Sequence, residues 1–333
     1  MELPQGISGQ AAMKVHAGEL YLTAESAPFG SELWKTNGLP GGTVPVKDLA
    51  AGPEDANPSY LTSISASKLI FSARTPTDGV ELFESDGTSV GTTLLADLNP
   101  GAPTEDSNPT GMHSVGGDYV LFQADGGLLG SELYRWDKNL GVTLVKDISP
   151  GVDGSSPADF TTAWMAGKLQ TLFTASDGVT GRELWITDGT AAGTNLVKDI
   201  HPSDSSWPYE LVYNPADQIT YFGAVDDLHG AELWRTDGTT AGTWMVLDIH
   251  PSASSLPKNI TPYAGAIVFS ALDSTHGREP FISGGSLGTT MMLADLEQGT
   301  GSSNPSEFAE LRGELLFSAH TAATGQELYT TDG

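Results

Sequence analysis

Four of the seven histidines and a scatter of aspartates are the residues of this 333-residue chain whose types and spacing could do chemistry. His229 and His276 close two similar stretches, Asp226-Asp227-Leu228-His229 and Asp273-Ser274-Thr275-His276. His201 and His250 each stand before a proline and a serine-rich run, and Asp78, Asp125 and Asp177 occupy places comparable to Asp226. Gathered on one face, such groups would bind a divalent cation or serve as general acid and base. Aspartate oxygens alone admit calcium, and added imidazoles favour zinc. Asp226, His229, Asp273 and His276 are therefore the metal candidates, and a divalent cation is the one cofactor the pattern suggests. The plainer reading is a set of solvated side chains in polar loops. Trp207, within Ser205-Ser206-Trp207-Pro208, would stack on a sugar face or plug its loop against a neighbour. The sequence contains no HExxH, no GxSxG and no EF-hand loop, so no catalytic residue is assigned.

A louder acidic signal is Glu32, Glu81, Glu132, Glu183, Glu232, Glu279 and Glu327. Each opens a Glu-Leu-aromatic triplet, altered in one copy to Glu279-Pro280-Phe281. One reading is a ring of carboxylates. The structural reading is preferred, because a group needed once for chemistry need not recur in every copy. A glutamate at a strand start can accept backbone N–H bonds from a neighbouring loop. Asp48, Asp97, Asp147, Asp199, Asp248 and Asp295 recur in the same way and suit turn amides.

Those glutamates are spaced by about 49 residues, so seven repeats account for nearly the whole chain. In the fourth copy, four short segments read as strands: a weak A over 160–165, B over 168–175, C over 183–187 and D over 195–200. They are too short for helices and rich in β-branched and aromatic residues. Asp86-Gly87, Asp188-Gly189 and Asp237-Gly238 supply positive φ after strand C, with Asn37-Gly38 equivalent to them. Strand B repeats aromatic-x-Ala at Phe71, Phe122, Phe173, Phe222, Phe269 and Phe317, and strand C is apolar on both faces. Such strands must be covered on both sides. The expectation is an all-β fold: a seven-bladed β-propeller with four antiparallel strands per blade, forming one domain over residues 1–333. Residues 1–4, which resemble the end of a strand D, are expected to complete the last blade beside 327–330. In such blades the B–C and D–A loops share one face, and the repetitive DGTxxGT turn lies on the other. The variable B–C/D–A face is where binding is expected. Its ligand candidates are His201, Trp207, Asp226, Asp227, His229, His250, Asp273 and His276.

Bulk properties narrow the partners. The absence of cysteine removes disulfides, thiol nucleophiles and thiolate metal sites. A net charge of −27 repels nucleic acid and anionic membranes. No apolar run is long enough to form a spanning helix, so membrane insertion is not expected. No signal peptide is visible at Met1, which fits either a cytoplasmic chain or a trimmed, mature one.

The consensus ELWxTDGTxxGTxLVKDI, followed by a Pro/Gly/Ser loop, resembles the bacterial ELWxxDGT-repeat family over essentially the whole chain. The resemblance implies a secreted or surface-attached multi-repeat protein and brings no catalytic residues with it. Departures fall at Ile282-Ser283-Gly284-Gly285, where the Asp-Gly-Thr is lost, and at Tyr134-Arg135-Trp136-Asp137-Lys138, so irregular blades are expected there. Function is expected to be non-enzymatic binding of a glycan, protein or cation on the variable face. A hydrolase or lyase using Asp and His on that face is the alternative, and a structural spacer is the second. The sequence carries no signature of an oligomeric state.

Overall fold

The computed structural model describes residues 12–100 and 105–332. The chain is all-β and of the β-propeller class: seven antiparallel sheets follow one another, each a blade whose strands pair in sequence order. Six sheets have four strands, and the last has three among the described residues. Helix among the described residues is limited to the short 3-10 turns Gly127–Leu129 and Leu287–Thr289. They fall in the two blades whose sequences depart from the consensus. By internal contacts the chain divides into a unit of residues 1–158 and one of residues 159–333. The expected place of residues 1–4 lies outside the described residues.

The fourth sheet shows how the repeat becomes strands. It runs Ala158–Met165, Lys168–Ser176, Arg182–Thr187 and Asn195–Lys198. Strand D ends at Lys198 rather than residue 200, because Ile200 turns its N–H to a side chain rather than to the ladder. Strand A reads weakly in sequence for a physical reason. Its pairing with strand B shifts register between Ser59 and Thr62, Tyr209 and Val212, Lys258 and Thr261, and Ser306 and Ala309. Tyr60, Glu210, Asn259 and Glu307 sit in those bulges with φ between 52° and 57°. A bulge interrupts the two-residue alternation on which a strand is recognised.

The doubly apolar strands are covered by neighbouring sheets within each unit. In the fifth sheet Phe222, Ala224 and Trp234 pack back onto Leu172, Leu184 and Val197 of the fourth. Tyr221, Leu233 and Val246 of the same sheet pack forward onto Ile267, Phe269 and Phe281 of the sixth. Thus aromatic-x-Ala faces one neighbour and the leucine of Glu-Leu-aromatic faces the other. In the first unit Phe71 and Ala73 pack against Tyr21 and Leu33, while Ile70 and Leu82 pack against Phe122 and Tyr134. Lysines add a polar tie: Lys47 Nζ donates to the Thr92 carbonyl and Lys198 Nζ to that of Thr243, each at 2.7 Å, one repeat ahead.

Candidate functional site: the B–C and D–A loops

The recurrent glutamates sit at the roots of these loops. Glu183 is fully buried. Its Oε2 accepts the Ile200 N–H at 3.0 Å and the Ser206 hydroxyl at 2.6 Å, and its Oε1 accepts the Ser206 N–H at 2.9 Å. One carboxylate therefore pins both ends of the D–A loop. The arrangement repeats for Glu81 with Leu98 and Ser107, Glu132 with Ile148 and Ser155, Glu232 with Ile249 and Ser255, and Glu279 with Leu296 and Ser303. Burial raises the pKa of Glu81, Glu132, Glu183 and Glu232, and the donated hydrogen bonds oppose it. The serines were missed in the sequence. Their signal was present: Ser107, Ser155, Ser206, Ser255 and Ser303 each stand two residues before a loop proline.

Two copies differ. Ala56 stands in the serine's place of the first repeat, so Glu32 has the Ala50 N–H at 2.9 Å on Oε1 while its buried Oε2 has no partner. Burial pushes the Glu32 carboxyl up to about 7. Glu327 has no counterpart of the D–A loop beside it among the described residues. It is exposed on Gly325–Thr331, the outer strand of the three-stranded sheet, and so is Leu328 beside it.

The aspartates of the B–C loops fold their own turns. Asp226 accepts the N–H groups of Leu228 and His229 at 2.9 and 2.7 Å, and His229 Nδ1 lies 2.9 Å from its Oδ2. Asp273 repeats this with Thr275 and His276, whose Nδ1 is 2.7 Å away. Asp177 receives Val179 and Thr180, and Asp125 receives Gly127. Asp78 differs, accepting the hydroxyls of Thr75 and Thr77. The hydrogen bond to Asp226 raises the His229 pKa, and Asp273 does the same for His276. Burial works against the two carboxylates, yet the bonds from their histidines leave both below their usual value.

Asp227 meets the preceding D–A loop: Ser203 donates to it at 2.5 Å, and His201 Nδ1 lies 3.1 Å away without hydrogen-bond alignment. His250 keeps a buried, unpartnered Nδ1. The structure thus joins Asp226 to His229, Asp273 to His276 and His201 to Asp227. Among the described residues no group of three or more His, Asp or Glu could hold a metal ion.

Trp207 occupies a different kind of position. Ser206 before it and Pro208 after it are buried, and Trp207 itself is 59% exposed. Its φ is 46°, and the equivalent Asn57, Asn108, Ser156, Leu256 and Asn304 share φ between 45° and 47°. The Arg182 guanidinium carbon lies 5.9 Å from the Trp207 ring centre. Arg182 Nη1 donates to Thr174 Oγ1 at 2.8 Å, and that hydroxyl donates to Asp159 Oδ2 at 3.1 Å.

The opposite loops share one design in the second, fourth and fifth repeats, which carry the full DGTxxGT. In the fourth repeat Asp188 Oδ1 accepts the N–H and hydroxyl of Thr190, and Thr190 Oγ1 accepts the Gly193 N–H. The Thr187 and Thr194 hydroxyls meet at 2.7 Å. Every residue of DGTxxGT that repeats is engaged in the turn itself, leaving little of it for a ligand.

No family model and no curated protein matches this chain. Among solved structures it is similar to puromycin hydrolase at 14% identity and TM-score 0.42, covering 98% of this chain and 52% of that one. It is similar to the polysaccharide lyase Uly1 at 10% identity and TM-score 0.45, covering 97% and 89%. TolB from Acinetobacter baumannii matches at 13% identity and TM-score 0.38, covering 97% and 79%. The chain spans about half the length of puromycin hydrolase. No activity or substrate passes to it from these proteins.

Proposed function

We propose that this chain is a non-enzymatic binding module of the ELWxxDGT-repeat kind, secreted or displayed on a cell surface, which takes its ligand on the B–C/D–A loop face. One observation carries this reading. Residues 57, 108, 156, 207, 256 and 304 share one backbone conformation between a buried Ser or Ala and a buried Pro, yet carry Asn, Asn, Ser, Trp, Leu and Asn. A loop root fixed by a buried carboxylate, bearing an outward side chain that changes from copy to copy, is how a rigid scaffold presents a recognition surface. The hydrolase or lyase alternative draws on the Asp226–His229 bond, which orients an imidazole as a general base is oriented.

The test is a binding screen against immobilised glycans and purified extracellular proteins, comparing the wild type with Trp207→Ala, His229→Ala and a control, Thr240→Ala, on the DGTxxGT face. Binding reduced by the first or second variant and kept by the control is expected. Binding lost only in the control would move the site to the other face. Turnover of a bound glycan, abolished by His229→Ala, would establish the enzymatic alternative.

A further inference from the structure

We infer that Trp207 and Arg182 form a subsite for one ring of a neutral carbohydrate, a reading that rests on the loop face being the binding face. The indole is held out by its backbone. The left-handed region costs a bulky residue roughly 1–2 kcal/mol. The chain cannot relax there, because Ser206 is tied to Glu183, Pro208 is buried, and the Trp207 N–H donates to the Arg182 carbonyl at 3.3 Å. The Cα–Cβ bond is therefore aimed outward in a fixed direction, and the side chain remains 59% exposed. A flat apolar face on a backbone that needs no ordering suits the apolar face of a pyranose.

The polar groups around it fit hydroxyls. Arg182 brings N–H donors, Asp159 brings acceptor oxygens, and Thr174 links the two. A sugar hydroxyl is both donor and acceptor and can use either kind. Charge selects against acidic sugars. The Asp159 carboxylate offsets the Arg182 guanidinium, and the chain as a whole carries −27. A protein partner would ordinarily anchor an aromatic inside a desolvated apolar patch. Trp207 instead stands beside a fixed chain of hydrogen-bonding groups, which favours a carbohydrate.

The experiment follows tryptophan fluorescence and calorimetry while cello-, xylo-, malto-, manno- and chito-oligosaccharides, and an oligogalacturonate, are added to the wild type. Trp164→Ala serves as a control, since Trp164 is also half exposed but lies on strand Ala158–Met165, next to the A–B turn. The expected result is a fluorescence change with at least one neutral series and none with the oligogalacturonate. Trp207→Ala should weaken it by about tenfold or more, and Trp164→Ala should preserve it. Trp207→Asn, which restores the residue found at three equivalent positions, must lose binding while staying folded. No response to any neutral series, or binding unchanged in both Trp207 variants, overturns the subsite. If a purified protein then binds through His229 but not Trp207, the subsite fails while the binding-face reading stands. If sugar binding responds to neither Trp207 nor His229, both fail.

Discussion

Ser206 Oγ donates to Glu183 Oε2 across 2.6 Å, and that one bond joins the start of a strand to the end of a loop 23 residues later. The serine N–H goes to the other oxygen, so the pair is held twice. Removing the carboxylate should leave the buried Ile200 N–H and the Ser206 hydroxyl without their acceptor, while the Ser206 N–H keeps the Arg182 carbonyl at 3.1 Å. Glu183→Ala is expected to cost about 1–3 kcal/mol, and Ser206→Ala about 1 kcal/mol, by urea unfolding. Equal unfolding curves for wild type and Glu183→Ala would show that the loop finds other acceptors.

The first repeat provides the converse. Glu32 has an orphaned Oε2 because Ala56 replaces the serine, and its pKa is raised by burial to about 7. The folded state therefore keeps this proton to higher pH than the unfolded chain, whose carboxyl titrates near the model value of 4.5. The contribution is complete below that value and is lost as pH rises through about 7, a difference of about 3 kcal/mol. Glu32→Gln should remove this fall, measured as the difference in unfolding free energy between wild type and variant at pH 4 to 8. Ala56→Ser should supply the missing donor and add about 1 kcal/mol at neutral pH. A destabilised Ala56→Ser protein would mean that the serine hydroxyl cannot reach Oε2 here.

The second glycine of the DGTxxG turn is a steric requirement. A Cβ on Gly193 would collide with the Asp188 carboxylate. Gly193→Ala is expected to cost about 1–3 kcal/mol, and Asp188→Ala in the same chain should recover part of that loss. A Gly193→Ala protein with an unchanged melting temperature would show that the aspartate swings aside freely.

His229 is raised first by its hydrogen bond to Asp226, with burial opposing. Its stabilising contribution is complete below the ordinary histidine value and is lost as pH rises through the raised one. Asp226 is lowered, so its contribution is present above the ordinary aspartate value and is lost as pH falls through the lower one. The pair is therefore strongest in mildly acidic solution. An NMR titration should place the His229 midpoint above 6.5, and Asp226→Asn should bring it down. A wild-type midpoint at or below 6.5 would show that the Nδ1 contact does not persist in solution.

The blades, the two-faced strands and the positive-φ turns could be read from residue types, because apolar period and glycine position are local signals. Burial of Glu183 could be argued from recurrence alone. Its partner Ser206 could not, since a serine in a Pro/Gly/Ser loop looks like any other until the chain returns to the strand. Asp226 and Asp273 were read as groups for chemistry. Their engagement with the N–H groups of their own turns depends on backbone direction, which residue type does not specify.

Trp207 allows stability and function to be separated. Asn57, Asn108 and Asn304 hold the same φ at equivalent places, and asparagine enters the left-handed region at lower cost than a bulky aromatic. Trp207→Asn should therefore leave the fold intact or stabilise it by about 0.5–1 kcal/mol. The loss of the Arg182–Trp207 contact opposes this by about 0.5 kcal/mol at an exposed site. Leu256→Asn, at φ 47° and with no aromatic ring to lose, should give the larger gain and is the cleaner reference. If both variants are equally or more stable than the wild type, the tryptophan is held at a cost to the fold, as a residue kept for contact with a ligand would be. A loss greater than about 1 kcal/mol in Trp207→Asn but not in Leu256→Asn would instead make Trp207 part of the loop's own packing.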